Sequence, residues 1–292
     1  MKRILLFAVT NIAVLVILSV TARLLGLEVH LAERGGSLTG LLWLSAIFGF
    51  GGALISLALS KSMAKMAMSV KVIAEPRTSA ETRLLETVRA HAERTGIGMP
   101  EVGVFDSSRP NAFATGGSRD RALVAVSTGL LASMQREEVE AVLGHEISHV
   151  TNGDMVTMAL LQGVLDTLVI FLARVLGTVI DSALRGGQRD QRFGLGPFYF
   201  VTVIVLQILF GVLATLIVMR FSRRREFRAD AGGATLAGRD NMISALMSLQ
   251  RAQGEPLLGQ FQAFGIQGGK VRRLFMSHPP IEERIAALRA LP

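Results

Sequence analysis

Residues 134–150 read MQREEVEAVLGHEISHV, and the run His145-Glu146-Ile147-Ser148-His149 within them decides how the chain is read. Val139, Val142, Leu143, Ile147 and Val150 recur at three- and four-residue spacings, which predicts an α-helix. Glu137, Glu138 and Glu140 fall early, where the positive end of the helix dipole favours them. Ser133 is the expected N-cap, and Thr151-Asn152-Gly153 the expected stop. On such a helix His145 and His149 lie on one face, so both imidazoles can reach one ion. Glu146, beside them, is placed to act on a water at that ion. Two His ligands with a neighbouring Glu as general base is the arrangement of a zinc peptidase.

A catalytic zinc ion needs a third protein ligand and an open position. A third His ten residues after the first is excluded, because position 155 is Met. Glu226-Phe227-Arg228-Ala229-Asp230 offers carboxylates at i and i+4 instead. Glu226 is assigned as third ligand, and Asp230 as the acceptor that holds the far nitrogen of a ligand histidine. A competing reading makes this segment an exposed charged face, balanced by Arg223, Arg224, Arg225 and Arg228.

Half of the 292 residues are hydrophobic and only 18% are charged, against about a quarter in soluble domains. The composition points to a membrane protein. With 0 Cys no thiolate can bind metal, so any site is built from His and carboxylate. The formal net charge of +8 comes without basic–aromatic interleaving, with 1 Trp and 1 Tyr, so nucleic acid is not an expected partner. The basic residues flank apolar runs, where the lipid bilayer and its topology account for them.

Four stretches approach the roughly 20 apolar residues that span a bilayer: residues 4–25, 38–60, 155–180 and 197–219. The first is read as a retained anchor rather than a signal peptide, because its apolar core outruns the usual signal. The third carries Asp166 and Arg174, two turns apart on one face, and is read as a span or as a protein-packed helix only partly in lipid. Lys2 and Arg3 precede the first span and Lys61, Lys65, Lys71 and Arg77 follow the second, which predicts cytoplasmic flanks. Arg185, Arg189 and Arg192 in the tip of the second pair run against that rule. The expected organisation is two N-terminal transmembrane helices (1–60), a cytoplasmic catalytic part with the HExxH helix (61–154), a transmembrane hairpin (155–220) and a second cytoplasmic catalytic part (221–292).

Thr78-Ser79-Ala80-Glu81 fits a capping box, and residues 102–105 and 123–126 read as strands. Asn111, Ala112, Phe113, Ala114 and Thr115, ended by Gly116-Gly117, read either as a hairpin strand or as an edge that pairs with a peptide backbone. His278-Pro279-Pro280 opens a final helix containing Arg284. His278 is either a simple cap there or a donor aimed at a reacting carbonyl.

Taken in order, these motifs resemble the HtpX family of bacterial membrane-bound zinc proteases, relatives of the CAAX prenyl endopeptidases and the mitochondrial protease Oma. The resemblance covers essentially the whole length. It implies a mainly α, multi-span membrane protein with a zincin-like α+β catalytic part and a small sheet. It implies one Zn2+ per chain held by His145, His149 and Glu226, with Glu146 as catalyst and Asn111–Thr115 aligning the substrate. His278 and Arg284 match residues that lie near the scissile carbonyl in prenyl-protease relatives. It further implies cleavage of misfolded or damaged membrane proteins, unfolded or membrane-anchored, at the cytoplasmic face of the inner membrane in envelope quality control. The alternatives are a dedicated processing protease for a membrane or lipidated precursor, and a non-proteolytic zinc scaffold. Glu146 argues against the scaffold, because a structural site needs no base.

Overall fold

The computed structural model describes residues 37–184, 197–253 and 276–291, together with residue 20. The expected first span (4–25), the loop after it and the tip of the second pair, with Arg185, Arg189 and Arg192, lie outside the described residues. In chain order the elements are α1 (Leu38–Ala67), β1 (Lys71–Val72), α2 (Ser79–Thr95), β2 (Glu101–Phe105), β3 (Ala112–Thr115), β4 (Leu123–Ser127), α3 (Thr128–Ser133), α4 (Arg136–Asn152), α5 (Asp154–Leu184), α6 (Pro197–Ala237), α7 (Arg239–Gln253) and α8 (Ile281–Arg289). The chain divides into two units: Met1–Ile55 with Ala159–Val218, and Ser56–Met158 with Met219–Pro292.

The first unit contains the apolar portions of α1, α5 and α6, three helices long and apolar enough to cross a membrane. Trp43, Ile47 and Phe48 on α1, and Phe198, Val201, Ile204 and Ile208 on α6, are exposed. Such rows are unfavourable in water and ordinary against lipid. Inside the unit, Leu38 packs on Phe171 and Val175, and Ala173 on Tyr199 and Val203. α1 and α5 approach closely at Gly49, where a Cβ would come within 2.6 Å of the Thr167 backbone nitrogen. α5 is continuous through Asp166, which accepts a hydrogen bond from Gln162 Nε2 (2.8 Å). Arg174 caps the Ile170 carbonyl of its own helix (3.3 Å). Both charged side chains are thus half-buried on the helix with a local polar partner.

The second unit is built on a four-stranded sheet of order β1-β2-β4-β3. β2 runs parallel to β4, from Glu101 opposite Leu123 to Phe105 opposite Ser127, while β1 and β3 are antiparallel to their neighbours. β4, buried along its whole length, reads LVAVS, the near-continuous apolar run of a central strand. β3 is a sheet edge. Val102, Val124 and Val126 of the sheet share one core with Leu84 and Val88 of α2, Val142, Leu143 and Ile147 of α4, Met242 and Leu246 of α7, and Leu288 of α8. Each such side chain contributes about 1.5–3 kcal/mol on burial, which makes this core the support for the α4 motif.

The cap of α4 differs from the expected one. Ser133 ends α3, its hydroxyl donating to the Gly129 carbonyl (2.7 Å), and Gln135 is the N-cap. Glu138 Oε2 accepts from the Gln135 N–H (3.0 Å), while its Oε1 accepts from the Ser244 and Ser248 hydroxyls of α7 (both 2.6 Å). One carboxylate therefore caps α4 and ties it to α7. The stop is as expected: Gly153 takes a left-handed conformation (φ 63°, ψ 35°) and its N–H reaches back to the His149 and Val150 carbonyls.

Candidate metal centre

Both histidines of the motif project from the buried face of α4 toward Glu226 on α6. Three helix glycines allow α4 and α6 to come this close. A Cβ at Gly233 would stand 3.0 Å from the His145 nitrogen, and one at Gly232 would stand 2.8 Å from Ser148 Cβ. At Gly144 a Cβ would lie 3.3 Å from Gly233 Cα. Each glycine weakens its helix by about 1 kcal/mol relative to alanine, and here the missing side chains are what the crossing requires.

His145, His149 and Glu226 each offer a ligand atom within 4.8 Å of the others. His145 Nε2 lies 3.6 Å from Glu226 Oε2, and His149 Nε2 lies 3.4 Å from Glu226 Oε1. The opposite ring nitrogens face other carboxylates. His145 Nδ1 is 2.9 Å from Asp230 Oδ1, and His149 Nδ1 donates to Asp154 Oδ2 at 2.7 Å. A carboxylate at Nδ1 holds the proton there and leaves the Nε2 lone pair for a metal. This donor set fits a divalent metal ion, with two imidazoles and one carboxylate converging and no thiolate present.

Asp230, expected to hold a ligand histidine, is itself gripped by Arg284, whose Nε (2.8 Å) and NH2 (2.5 Å) donate to its two oxygens. Arg284 is 8% exposed and its NH2 is 3.9 Å from Glu226 Oε2. His278, whose side chain is 63% exposed, donates from Nδ1 to Glu226 Oε2 at 2.6 Å. Glu146 is half-buried and stands outside the three-residue cluster, with its charge acting on both His149 and Arg284. Asn111 immediately precedes β3 and is tied to Ser127 through its N–H to the hydroxyl (2.9 Å) and its carbonyl to the backbone N–H (2.8 Å). Ala112, Phe113, Ala114 and Thr115 form the edge strand itself. Asp154 escaped the sequence reading altogether. Its signal was slight: an acidic residue directly after the glycine that ends α4.

The electrostatics follow from burial and close opposite charge. Burial opposes charge on His149, but Asp154 and Glu226 outweigh it and raise the imidazole to about 9, so a metal at Nε2 has to displace a proton there. α6 leaves its apolar portion after Met219, so Glu226 and Asp230 belong to the second unit. Burial by itself would push both carboxyls up. The His149 and His278 imidazoles beside Glu226, and the Arg284 guanidinium and His145 imidazole beside Asp230, instead hold both below the ordinary carboxylate range. Arg284 is raised in turn, since Asp230 outweighs the burial that disfavours its charge.

Comparison with known proteins places the chain among peptidases. The description of peptidase family M48 matches residues 78–291. The chain is 55% identical to the protease HtpX homolog of Thiobacillus denitrificans, with 100% of each chain covered. It is 59% identical to protease HtpX of Xanthomonas euvesicatoria, over 99% of this chain and 97% of that relative. The crystal structure of S. mikatae Ste24p shares the fold at a TM-score of 0.62 and 19% identity, covering 99% of this chain and 67% of that one. With its His-His-Glu cluster, membrane-length helices and full-length likeness to these proteases, the chain belongs to peptidase family M48, within its HtpX membrane metalloproteases.

Proposed function

We propose that the chain is a zinc endopeptidase of the bacterial inner membrane, with a cytoplasmic active site that cuts misfolded or membrane-anchored proteins in envelope quality control. The observation that carries the chemistry is the convergence of His145, His149 and Glu226, with Glu146 beside them and outside the cluster. His145 Nε2 lies 3.6 Å from Glu226 Oε2 and His149 Nε2 lies 3.4 Å from Glu226 Oε1, close enough for one ion to be held among the three side chains. Two imidazoles and one carboxylate with no thiolate form a donor set that zinc accepts. Zinc held there supplies Lewis acidity, lowering the pKa of a water to about 7 and polarising a carbonyl oxygen.

Glu146 takes the proton of the attacking water and passes it to the leaving amine. His278 uses Nδ1 to hold Glu226, which leaves its exposed Nε2 toward a substrate. Only the imidazolium carries a proton on both nitrogens, so His278 aids the carbonyl as an oxyanion donor in its cationic form. Arg284 directs both of its hydrogen bonds to Asp230, which supports a positioning role acting through Asp230 and His145. The outer edge of β3 accepts an extended substrate backbone as an added strand, the mode that suits unfolded segments.

Glu146→Gln tests the assignment. Cleavage is expected to vanish with zinc content unchanged, because the residue is a base and not a ligand; parental proteolysis or complete metal loss overturns the role. The same inactive chain can be used to capture substrates. Many unrelated membrane proteins support quality control, whereas one accumulating precursor supports dedicated processing.

A further inference from the structure

We infer that Asp154 is a positioning residue of the metal centre, the partner of His149 as Asp230 is of His145. This rests on the reading of His145, His149 and Glu226 as zinc ligands. The backbone brings the two residues together. Gly153 is left-handed at φ 63°, and this single residue separates the end of α4 from the start of α5. The reversal carries Asp154 back over the last turn of α4, where its Oδ2 accepts from His149 Nδ1 at 2.7 Å. An L side chain at 153 would resist that conformation by about 1 kcal/mol, so glycine sets the contact as much as the aspartate does.

Asp154 is 1% exposed and needs its own partners. Arg228 NH2 lies 3.4 Å from Oδ1, and Arg225 NH1 donates to the Asp154 carbonyl at 3.3 Å and lies 4.0 Å from Oδ2. Both arginines flank Glu226 on α6. The carboxylate that orients the second histidine is therefore bound to the stretch of helix that supplies the third ligand. Asp154 sets the ring rotation and tautomer of His149 and, through Arg225 and Arg228, the height of Glu226 against it.

The test uses the full chain in detergent, stripped of metal with a chelator and titrated with Zn2+ against a chromophoric competitor. The parent is expected to bind one zinc and Glu226→Ala to lose it; failure of either overturns the ligand reading and the inference with it. Asp154→Asn keeps the shape and removes the charge, and zinc affinity is expected to fall about 10–100-fold. With Co2+ saturating the site, the visible bands of Asp154→Asn should shift from those of the parent, because the His149 donor has changed. A purely structural aspartate would lower the melting temperature and leave these bands in place. Should Asp154→Asn not fold, Asp154→Glu decides, because it keeps the charge near the arginines and moves the carboxylate by one methylene. Affinity at least ten-fold below the parent supports the role. Parental affinity and parental Co2+ bands in the variant that folds, with Glu226→Ala metal-free, overturn it and leave the ligand reading intact.

Discussion

Gly232→Ala sets helix propensity against packing at the crossing that forms the candidate metal centre. Propensity alone favours alanine by about 1 kcal/mol in a helix interior. The structure opposes it, because the new methyl would stand 2.8 Å from Ser148 Cβ and closer still to Ser148 Oγ. Carbon atoms rest at about 3.5–4.0 Å, so one helix must retreat by about 1 Å. Ser148 cannot swing aside, since it is buried and its hydroxyl donates to the Gly144 carbonyl at 2.9 Å. Overpacking of this kind costs about 1–3 kcal/mol, which outweighs the propensity gain over most of its range. At about 2–4 °C per kcal/mol for a folded unit of this size, the melting temperature of the metal-free protein should fall by a few degrees. The larger effect is at the site. Glu226 lies on the same helix, and a retreat of that size takes its oxygens off their 3.4 Å and 3.6 Å spacing from the histidines. Zinc affinity is expected to drop about ten-fold or more, comparable to losing an outer support of a ligand. Gly211→Ala is the control, since nothing among the described residues lies within 4 Å of a Cβ at that position of α6. It should leave both quantities at or above the parental values. A Gly232→Ala protein that melts no lower than Gly211→Ala and binds zinc as the parent does would refute the reasoning.

Three further outcomes are expected. Asp230→Ala strands the buried Arg284 and should destabilise the metal-free protein by about 3–5 kcal/mol, whereas the double variant with Arg284→Met should lose clearly less than the sum of the single losses; additive losses in thermal melts would show that the pair is not coupled. Burial opposes the charge of Glu138, but its hydrogen bonds from Ser244, Ser248 and Gln135 hold its folded pKa below the ordinary value. A depressed pKa stabilises the fold above the unfolded value of about 4.3, and the gain is lost as pH falls through the folded value. Glu138→Gln should therefore lower the melting temperature at pH 7, with the gap from the parent closing below about pH 4; a constant gap would contradict the linkage. Topology can be read with single cysteines, because the chain has 0 Cys. A cysteine at the exposed Ser133 should resist an impermeant thiol reagent in intact cells and one at Ser37 should react, while labelling at 133 from outside would overturn the cytoplasmic site.

The sequence by itself determined what depends on local spacing. Apolar length marked residues 38–60, 155–180 and 197–219, because a bilayer demands about 20 apolar residues in a row whatever surrounds them. The i, i+4 rule placed His145 and His149 on one face of α4, and the absence of thiols restricted the donors to imidazole and carboxylate. Gly153 announced the end of α4 because only glycine enters the left-handed region readily. Relations between distant segments were decided by the tertiary structure. Ser133 looked like a cap, and only packing of the short α3 passed that position to Gln135 and turned Glu138 inward to Ser244 and Ser248. The parallel pairing of β2 with β4, which leaves β3 at the edge, has no local signature in either strand. Gly232 and Gly233 were silent in the sequence because their role is the absence of side chains at a crossing with residues some 85 positions away. The charges on α6 could not be sorted into an exposed face and a buried site until α4 lay against them. Desolvation then paired Glu226 with His278 and Asp230 with Arg284, and Asp154 was added to His149. Helix periodicity is written in consecutive residues, whereas ligand geometry arises where helices cross, and the order of residues along the chain does not record that distance.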